Sequence, residues 1–240
     1  MGAVVTSRKI AASRYHDWMG PFHFPPPTPS DLGDREVPRE GDRLEGVRVA
    51  LLVTGGIAAF KTPLVARALR RQGAVVTAFC SEEALRYVTQ DALEWSTTNP
   101  VVVKLSPQAE HLSDAAPADI YLVAPATAAT IARMACGLAE GVVGATLASA
   151  IGRMEQGQAH ILVAPTMHGS MHNSILVKNL RTLHDLGVRI TPPRDAYGKH
   201  NLPDEGVLVE HVCCAMKESS RPRKVVAERS ANPIPTKEPE

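Results

Sequence analysis

One stretch of the chain, residues 47–58, constrains the fold more than any other. An apolar run at residues 47–53 predicts a buried parallel strand, and Gly55 and Gly56 follow it directly. A helical pattern then begins at residue 59. A strand, a glycine turn and a helix start present backbone N–H groups and a positive dipole end to an anion. The stretch therefore predicts a phosphate site, although it matches neither the G-x-G-x-x-G fingerprint nor a P-loop, and a ligand-free tight turn is the alternative.

Strands and helices alternate along the rest of the domain. Further strands are predicted at residues 74–80, 101–105, 119–124, 160–164 and 188–191, and helices at residues 59–72, 131–138, 142–151 and 174–187. Alternation is typical of an α/β fold, here a doubly wound, Rossmann-like or flavodoxin-like parallel sheet with helices on both faces. Ligands bind such sheets at the carboxyl ends of the strands. The loops at residues 54–58, 125–130 and 165–168 are therefore expected to meet at one site.

The remaining segments show weaker patterns. A helix is predicted to open at Ser81 as N-cap, a loop at residues 195–203, and a helix or strand at residues 207–216. We expect a proline-rich N-terminal arm at residues 1–45, one domain at residues 46–216 and a disordered tail at residues 217–240. The aromatic side chains of the arm are expected to pack on the domain or on a neighbouring subunit. They are Trp18, Phe22 and Phe24.

Composition narrows the function classes. Lys and Arg number 26 and Asp and Glu 25, so no global field favours nucleic acid or an anionic membrane as partner. No apolar run reaches the roughly 20 residues of a membrane span, and no secretory signal is recognisable. The four cysteines include no C-x-x-C pair, which indicates free thiols in a reducing compartment. We expect a cytoplasmic protein without a metal site.

A few polar side chains near the strand ends are candidate site residues. Ser81 supplies a hydroxyl after the second strand, and Thr127 and Thr130 do so within a small-residue loop that a flat ring can approach. His111 lies in a polar stretch and suits proton transfer, because imidazole titrates near neutrality. The ordinary alternatives are a helix cap for the threonines and a solvated surface position for His111. The surface interpretation alone is adopted for His160, His172, His184, His200 and His211.

Four blocks of sequence occur in the order and spacing of one family. They are GGIAAFK from Gly55, the stretch around His111, APATAATIARMACGLAEGVVGATLA from Ala124 and APTMHGSMHN from Ala164. They resemble the homo-oligomeric flavin-containing cysteine decarboxylases, which include phosphopantothenoylcysteine decarboxylase of coenzyme A synthesis and the decarboxylases of peptide C-terminal cysteines. The resemblance covers residues 47–188. It implies FMN as the cofactor, bound at a subunit interface of a trimer or of a dodecamer of trimers.

The resemblance also implies roles for individual residues. His111 corresponds to the catalytic base, and His168 stands at the asparagine of the P-x-M-N motif, which holds the substrate carboxylate and the flavin. Met171 and Asn173 are implied on the substrate side. The residues implied in FMN binding are Gly55, Gly56, Ile57, Ala58, Lys61, Ser81, Ala126, Thr127, Thr130, Ala164 and Met167.

The chain departs from the family pattern in two places. The P-x-M-N motif ends in His168, so an imidazole replaces an amide and orients a carboxylate only if it presents an N–H. The phosphopantothenoylcysteine enzymes also carry a glycine-rich clamp with a cysteine that returns a proton. The corresponding residues 195–203 contain no cysteine.

The predicted function is FMN-dependent oxidative decarboxylation of a small-molecule or peptide cysteinyl substrate, such as 4′-phosphopantothenoylcysteine. The alternative is an FMN oxidoreductase or electron-transfer flavoprotein with an external electron donor, similar to archaeoflavoproteins or dihydromethanopterin reductases. A flavin prenyltransferase fits less well, because no basic site for a dimethylallyl phosphate is recognisable. A regulatory flavoprotein that binds partners through its tails is the non-enzymatic alternative.

Overall fold

A computed structural model of the chain describes residues 24–112 and 117–219. The chain divides into two compact units, Met1–Gly33 and Asp34–Glu240. The described part of the first unit, residues 24–33, contains no helix or strand. Trp18, Phe22 and residues 220–240 of the predicted tail lie outside the described residues. The domain boundaries at residues 45 and 216 stay predictions.

The second unit carries the regular elements. Its strands are β1 (Arg48–Val53), β2 (Val75–Cys80), β3 (Ile120–Ala126), β4 (His160–Pro165), β5 (Met167–His168), β6 (Arg189–Ile190), β7 (Arg194–Ala196) and β8 (Lys199–Asn201). Its α-helices are α1 (Thr62–Arg71), α2 (Gln90–Thr97), α3 (Ala128–Ala135), α4 (Gly141–Glu155), α5 (Ser174–Asp185) and α6 (Glu205–Ser219). Short 3-10 helices are Ile57–Lys61, Ala84–Arg86 and Gly169–Met171. None of the helices in the described ranges is long and apolar enough to cross a membrane.

The main sheet has five parallel strands in the order β2-β1-β3-β4-β6. The chain runs from β1 outward to β2 and then returns to place β3 on the other side of β1. This reversal makes the β1/β3 edge the switch point where doubly wound sheets bind ligands. The order confirms the predicted fold class.

Burial on both faces of the sheet explains the unbroken apolar runs. Every residue of β3 is buried, as are five of the six residues of β1. One core cluster, containing Leu51 and Leu69, joins β1 to α1 and α6, whereas the other, containing Leu52 and Ile131, joins it to α3 and α4. Each fully buried leucine contributes about 1.5–3 kcal/mol to folding.

The segments that flank β2 differ from their predicted forms. The hydroxyl of Ser81 does accept a hydrogen bond from the Ala84 N–H at 3.3 Å, but only a 3-10 turn follows it. The regular helix α2 begins later, because Thr89 is extended and its hydroxyl caps Ala92. The predicted strand at residues 101–105 is wrong, since Val102 alone bridges to β2 and the chain then bends away.

The prediction of a loop at residues 195–203 is also wrong. Strands β7 and β8 form an antiparallel hairpin, and β8 pairs with β5 to give a second sheet of three strands. The hairpin turns at Tyr197 and Gly198, whose φ angles of +56° and +67° suit a primed two-residue turn. Residues 207–216 are helical, within α6, and this helix runs on through Ser219 into the predicted tail.

Candidate functional site

A cleft of about 740 Å³ opens beside the carboxyl ends of β1, β2 and β3. Its volume lies in the range of about 300–1,000 Å³ that is typical of small-molecule sites. Polar groups from the three strand ends form one side of the cleft. They belong to Thr54, Gly55, Ser81, Thr127 and Thr130.

Helices α3 and α4 and the turn between them supply the opposite wall. Small residues alternate there with aliphatic ones, among them Gly137, Ala139, Gly144, Val143, Leu147 and Ile151. Side chains of this size let a planar ring lie close to the backbone. The cleft thus combines a polar end with a broad apolar wall, which is the usual composition of a cofactor pocket.

Thr54 ties the first and third strand ends together. Its side chain is buried, its hydroxyl donates to the carbonyl oxygen of Pro125 at 2.7 Å, and its oxygen accepts from the N–H of Thr127 at 3.3 Å. The hydroxyl of Thr127 in turn accepts from the N–H of Thr130 at 3.2 Å and so caps α3. Thr127 therefore does cap a helix, and both Thr127 and Thr130 line the cleft.

The two glycines permit a close approach of backbone segments. A Cβ at Gly55 would lie 2.5 Å from the Cβ of Glu83, and one at Gly56 would lie 3.3 Å from the Cγ2 of Thr127. The first hydrogen bond of the following turn joins the Ala59 N–H to the Gly56 carbonyl. The N–H groups of the two intervening residues therefore precede any bond within the helix, as an anion site requires.

The end of β4 joins the same edge. The N–H of Thr166 donates to the carbonyl oxygen of Ala126 at 3.0 Å, so the junction of β4 and β5 lies against the junction of β3 and α3. Ala164 and Met167 are buried in the core beneath these loops and do not line the cleft. The three predicted loops are thus contiguous.

The remaining predicted cofactor residues are placed differently. Gly56, Ala58 and Ala126 are not among the residues that line the cleft, and Ile57 is 70% exposed. Lys61 lies 4.0 Å from the carboxylate of Asp204. Two cations that the sequence did not single out do line the cleft, and each has an acidic neighbour. They are Lys104, 3.9 Å from Glu82, and Arg133, 4.0 Å from Glu140.

His111 is half-buried and does not line the cleft. Its Nδ1 atom is shielded from solvent and has no hydrogen-bond partner among the described residues. The neighbouring Glu110 accepts hydrogen bonds from the side chain and backbone N–H of Ser106, at 2.5 and 2.9 Å, and these hold the pKa of its carboxyl below the usual range. The His111 imidazole therefore lies next to a carboxyl group that ionises more readily than usual.

His168 presents the N–H that its position requires. Its Nδ1 accepts a hydrogen bond from the backbone N–H of Ser170 at 3.1 Å. A backbone N–H can only donate, so this nitrogen carries no proton and the neutral ring holds its proton on Nε2. The exposed Nε2–H is thus available to a carboxylate.

The two residues predicted on the substrate side follow His168 closely. Met171 is 46% exposed, at the end of the 3-10 turn. Asn173 caps α5, because its Oδ1 accepts from the N–H of Leu176 at 3.0 Å. Neither lines the cleft.

The structure also assembles a group of side chains that sequence reasoning treated as unrelated. Nδ1 of His172 lies 3.0 Å from Nε2 of His200, and Nδ1 of His200 lies 2.5 Å from Oδ1 of Asp195. The only sequence signal was the place of His172 between Met171 and Asn173. His200 became relevant only through the pairing of β8 with β5.

Known proteins resemble the chain over most of its length. The family model described as Flavoprotein matches residues 38–218. The chain is 37% identical over 162 residues to the coenzyme A biosynthesis bifunctional protein CoaBC of Thermococcus kodakarensis, covering 65% of this chain and 39% of that protein. It spans about two fifths of the length of the curated CoaBC proteins that it matches.

Solved structures share the fold at lower identity. The FMN-dependent cysteine decarboxylase SpaF gives a TM-score of 0.64 at 24% identity, covering 74% of this chain and 99% of that one. A PPC decarboxylase mutant complexed with pantothenoylaminoethenethiol gives a TM-score of 0.58 at 18% identity, covering 71% and 98%. These similarities show a shared fold.

Proposed function

The chain belongs to the Flavoprotein family, and we propose that it binds FMN and catalyses the oxidative decarboxylation of a cysteinyl substrate such as 4′-phosphopantothenoylcysteine. One observation carries this proposal. The glycine loop after β1 and the threonine loop after β3 are joined through Thr54 at the polar end of a cleft of cofactor size.

The residues of the cleft fit FMN. The hydroxyls of Ser81 and Thr130 line the cleft, and the N–H groups of the two residues after Gly56 belong to the 3-10 turn that follows the glycine loop. Such groups suit a polyhydroxy chain and a phosphate. The small and aliphatic wall of α3 and α4 suits a flat apolar ring. Lys104 and Arg133, both lining the cleft, add positive charge near a phosphate dianion.

When bound, FMN supplies a two-electron acceptor for the cysteinyl Cβ–S unit, and loss of CO2 from the resulting thioaldehyde leaves an enethiolate. His111 acts as the base that removes the thiol proton, and its Nδ1, which has no hydrogen-bond partner within residues 24–112 and 117–219, supports this role. The Nε2–H of His168 holds the substrate carboxylate, with Met171 and Asn173 beside it.

We assign the chain to a homo-oligomer, a trimer or a dodecamer built from trimers. Ile57, Phe60 and Leu64 recur at helical spacing on one face and are 70%, 56% and 55% exposed. Apolar side chains in such a row commonly mark a protein contact. His111 and Met171 lie outside the cleft of one protomer, so a second copy would complete the site. Light scattering of the wild type and of Phe60→Asp measures the assembly, and a monomeric wild type would overturn this assignment.

The deciding experiment is a visible spectrum of the purified protein followed by two anaerobic assays. A yellow protein that releases CO2 from 4′-phosphopantothenoylcysteine supports the proposal. A protein that binds FMN but releases no CO2 from this substrate or from a peptide with a C-terminal cysteine overturns the decarboxylation. A colourless protein that does not take up added FMN overturns the cofactor assignment.

An FMN oxidoreductase with an external electron donor is the second candidate. It is favoured by His168 at the position of the motif asparagine and by the absence of cysteine from residues 165–204. Rapid bleaching of the bound flavin by NAD(P)H or by a reduced ferredoxin, without CO2 release from cysteinyl substrates, would establish it. Indifference to these donors would exclude it.

A further inference from the structure

A carboxylate and two imidazoles form a continuous hydrogen-bonded chain at the second, three-stranded sheet. Asp195 lies on β7, His200 on β8, and His172 directly after the 3-10 turn that follows β5. The two contacts measure 2.5 and 3.0 Å, and the two rings lie 5.2 Å apart between centroids with their planes tilted by 53°. These distances are those of direct hydrogen bonds.

The carboxylate at one end fixes the tautomer of both rings. An ionised carboxylate can only accept, so Nδ1 of His200 carries a proton that points to Asp195. In a neutral His200 the Nε2 atom is then an acceptor, and Nδ1 of His172 must carry the proton between the two rings. The Nε2 atom of His172 is consequently the open end of the chain, able to accept a proton and to give it up again.

The hydrogen-bonded group of Asp195, His200 and His172 lies against the segment that carries the predicted substrate residues. β8 is registered on β5, with His200 opposite Met167. The N–H of Gly169 donates to the carbonyl oxygen of Gly198, the second residue of the hairpin turn, at 2.9 Å. The open Nε2 therefore belongs to a residue flanked by Met171 and Asn173. His172 is exposed, whereas the side chain of His200 is only 23% exposed, so the outer ring is the one that a ligand can meet.

We propose that His172 is the proton donor to the decarboxylated product, and that His200 and Asp195 are positioning residues that act through it. This inference rests on the proposed decarboxylation. The segment at residues 165–204 offers no thiol for the task, and Cys213 and Cys214 lie on α6 instead.

The proposed step is a redox-neutral proton transfer. The N–H bond at Nε2 of the His172 imidazolium breaks, and a C–H bond forms at the carbon that carried CO2. The C=C electron pair of the enethiolate becomes that bond, a sulfur lone pair restores C=S, and a neutral imidazole remains. The Asp195 carboxylate stabilises the imidazolium before transfer, through His200. Return of the two electrons and the two protons that the first oxidation removed then converts the C=S group to a saturated thiol, which leaves as the product.

The tautomer of His172 is measured by nitrogen-detected NMR of the full-length protein with labelled histidine, at a pH where the rings are neutral. The expected spectrum shows His172 and His200 protonated on Nδ1. In Asp195→Ala the tautomer populations of both rings should change. A His172 protonated on Nε2 would overturn the proposed sequence of hydrogen bonds from Asp195 to His172, whatever reaction the protein catalyses. The control variant is His184→Gln, because His184 also lies beside a carboxylate, Asp185, but at the C-terminal end of α5. This variant should leave the tautomers of His172 and His200 unchanged.

The chemical role is measured by separating CO2 release from thiol formation in the FMN-loaded protein. His172→Gln is expected to keep CO2 release in the first turnover, to slow formation of the saturated thiol by about 100-fold, and to accumulate the enethiol. Asp195→Ala should give a smaller loss in the same direction, and His184→Gln none. The same thiol yield in His172→Gln and wild type overturns the inference while leaving the proposed function intact. A wild type that releases the enethiol itself also overturns it. A wild type that releases no CO2 overturns the proposed function first, and the inference with it.

Discussion

The hydroxyl of Thr54 donates a 2.7 Å hydrogen bond to the carbonyl oxygen of Pro125. Thr54 directly follows β1 and Pro125 is the penultimate residue of the neighbouring strand β3, so the bond joins the two strand ends beside the cleft. The same oxygen also accepts from the Thr127 N–H, so one buried side chain satisfies two backbone groups of the threonine loop.

Thr54→Val removes the hydroxyl while keeping the shape of the side chain. It leaves a buried carbonyl and a half-buried N–H without their partner, so we expect a loss of about 1–3 kcal/mol in the free energy of unfolding. FMN affinity should fall as well, because the threonine loop is no longer fixed. Urea unfolding and flavin titration measure the two effects. Thr54→Ser is the matched control, and equal losses in both variants would contradict the role of the hydroxyl.

Gly55→Ala should weaken FMN binding strongly. The added Cβ would lie 2.5 Å from the Cβ of Glu83 and 3.2 Å from the Glu83 backbone, so the glycine loop has to shift. Gly152→Ala is the control, since a Cβ there meets nothing within 4 Å and alanine favours the helix by up to about 1 kcal/mol. Flavin titration of both variants tests this. Unchanged FMN affinity in Gly55→Ala would mean that the loop is not part of the cofactor site.

The two predicted catalytic histidines should respond differently to the same substitution. His111→Asn is expected to abolish CO2 release while leaving the visible flavin spectrum intact, since a general base typically contributes about 100- to 10,000-fold. His168→Asn should retain or raise activity, because an amide can donate the hydrogen bond now supplied by Nε2–H. Comparable activity in the two variants would contradict the assigned roles.

The four cysteines should separate into two classes of reactivity. Burial raises the pKa of the Cys80 thiol to about 12 and also raises the pKa of Cys213, whereas Cys136 and Cys214 are exposed. Only thiolates react quickly, so an aromatic disulfide reagent should modify two thiols fast and the other two only on unfolding. Rapid modification of four thiols in the native protein would contradict this burial.

Cys80 also makes stability depend on alkaline pH. Its folded pKa is raised above the unfolded value of 9.0, so the folded state holds the proton more tightly than the unfolded state does. Stability from this group is complete below pH 9 and is lost as the pH rises from about 9 towards 12. Urea unfolding of the wild type and of Cys80→Val over this range measures the effect, and the variant should lose that part of the slope.

The local sequence pattern was sufficient to predict the central strands of the parallel sheet. The apolar runs of β1, β3 and β4 were predicted within one or two residues at each end, because strands buried on both faces must be apolar throughout. The family was likewise recognisable from four blocks of sequence, and the family match confirms it. The roles of individual site residues stay predictions. The placement of Gly55, Ser81, Thr127 and Thr130 around one cleft agrees with them.

Pattern failed where pairing with distant residues decides the structure. The hairpin of β7 and β8 consists of short polar strands and a Tyr197-Gly198 turn, none of which carries an apolar period. At residues 101–105 the error was the reverse, because an apolar run predicted a strand but only Val102 pairs with a residue of β2.

The sequence by itself determined the doubly wound sheet, the glycine and threonine loops and their order along the chain, because local periodicity and backbone-permissive residues encode them directly. Only the tertiary structure decided that the side chain of Thr54 joins two loops 71 residues apart, and that His172 meets His200 across 28 residues. The reason is physical. A hydrogen bond between side chains depends on the position and direction of two backbones, and those are set by strand pairing and core packing, which a one-dimensional pattern does not contain.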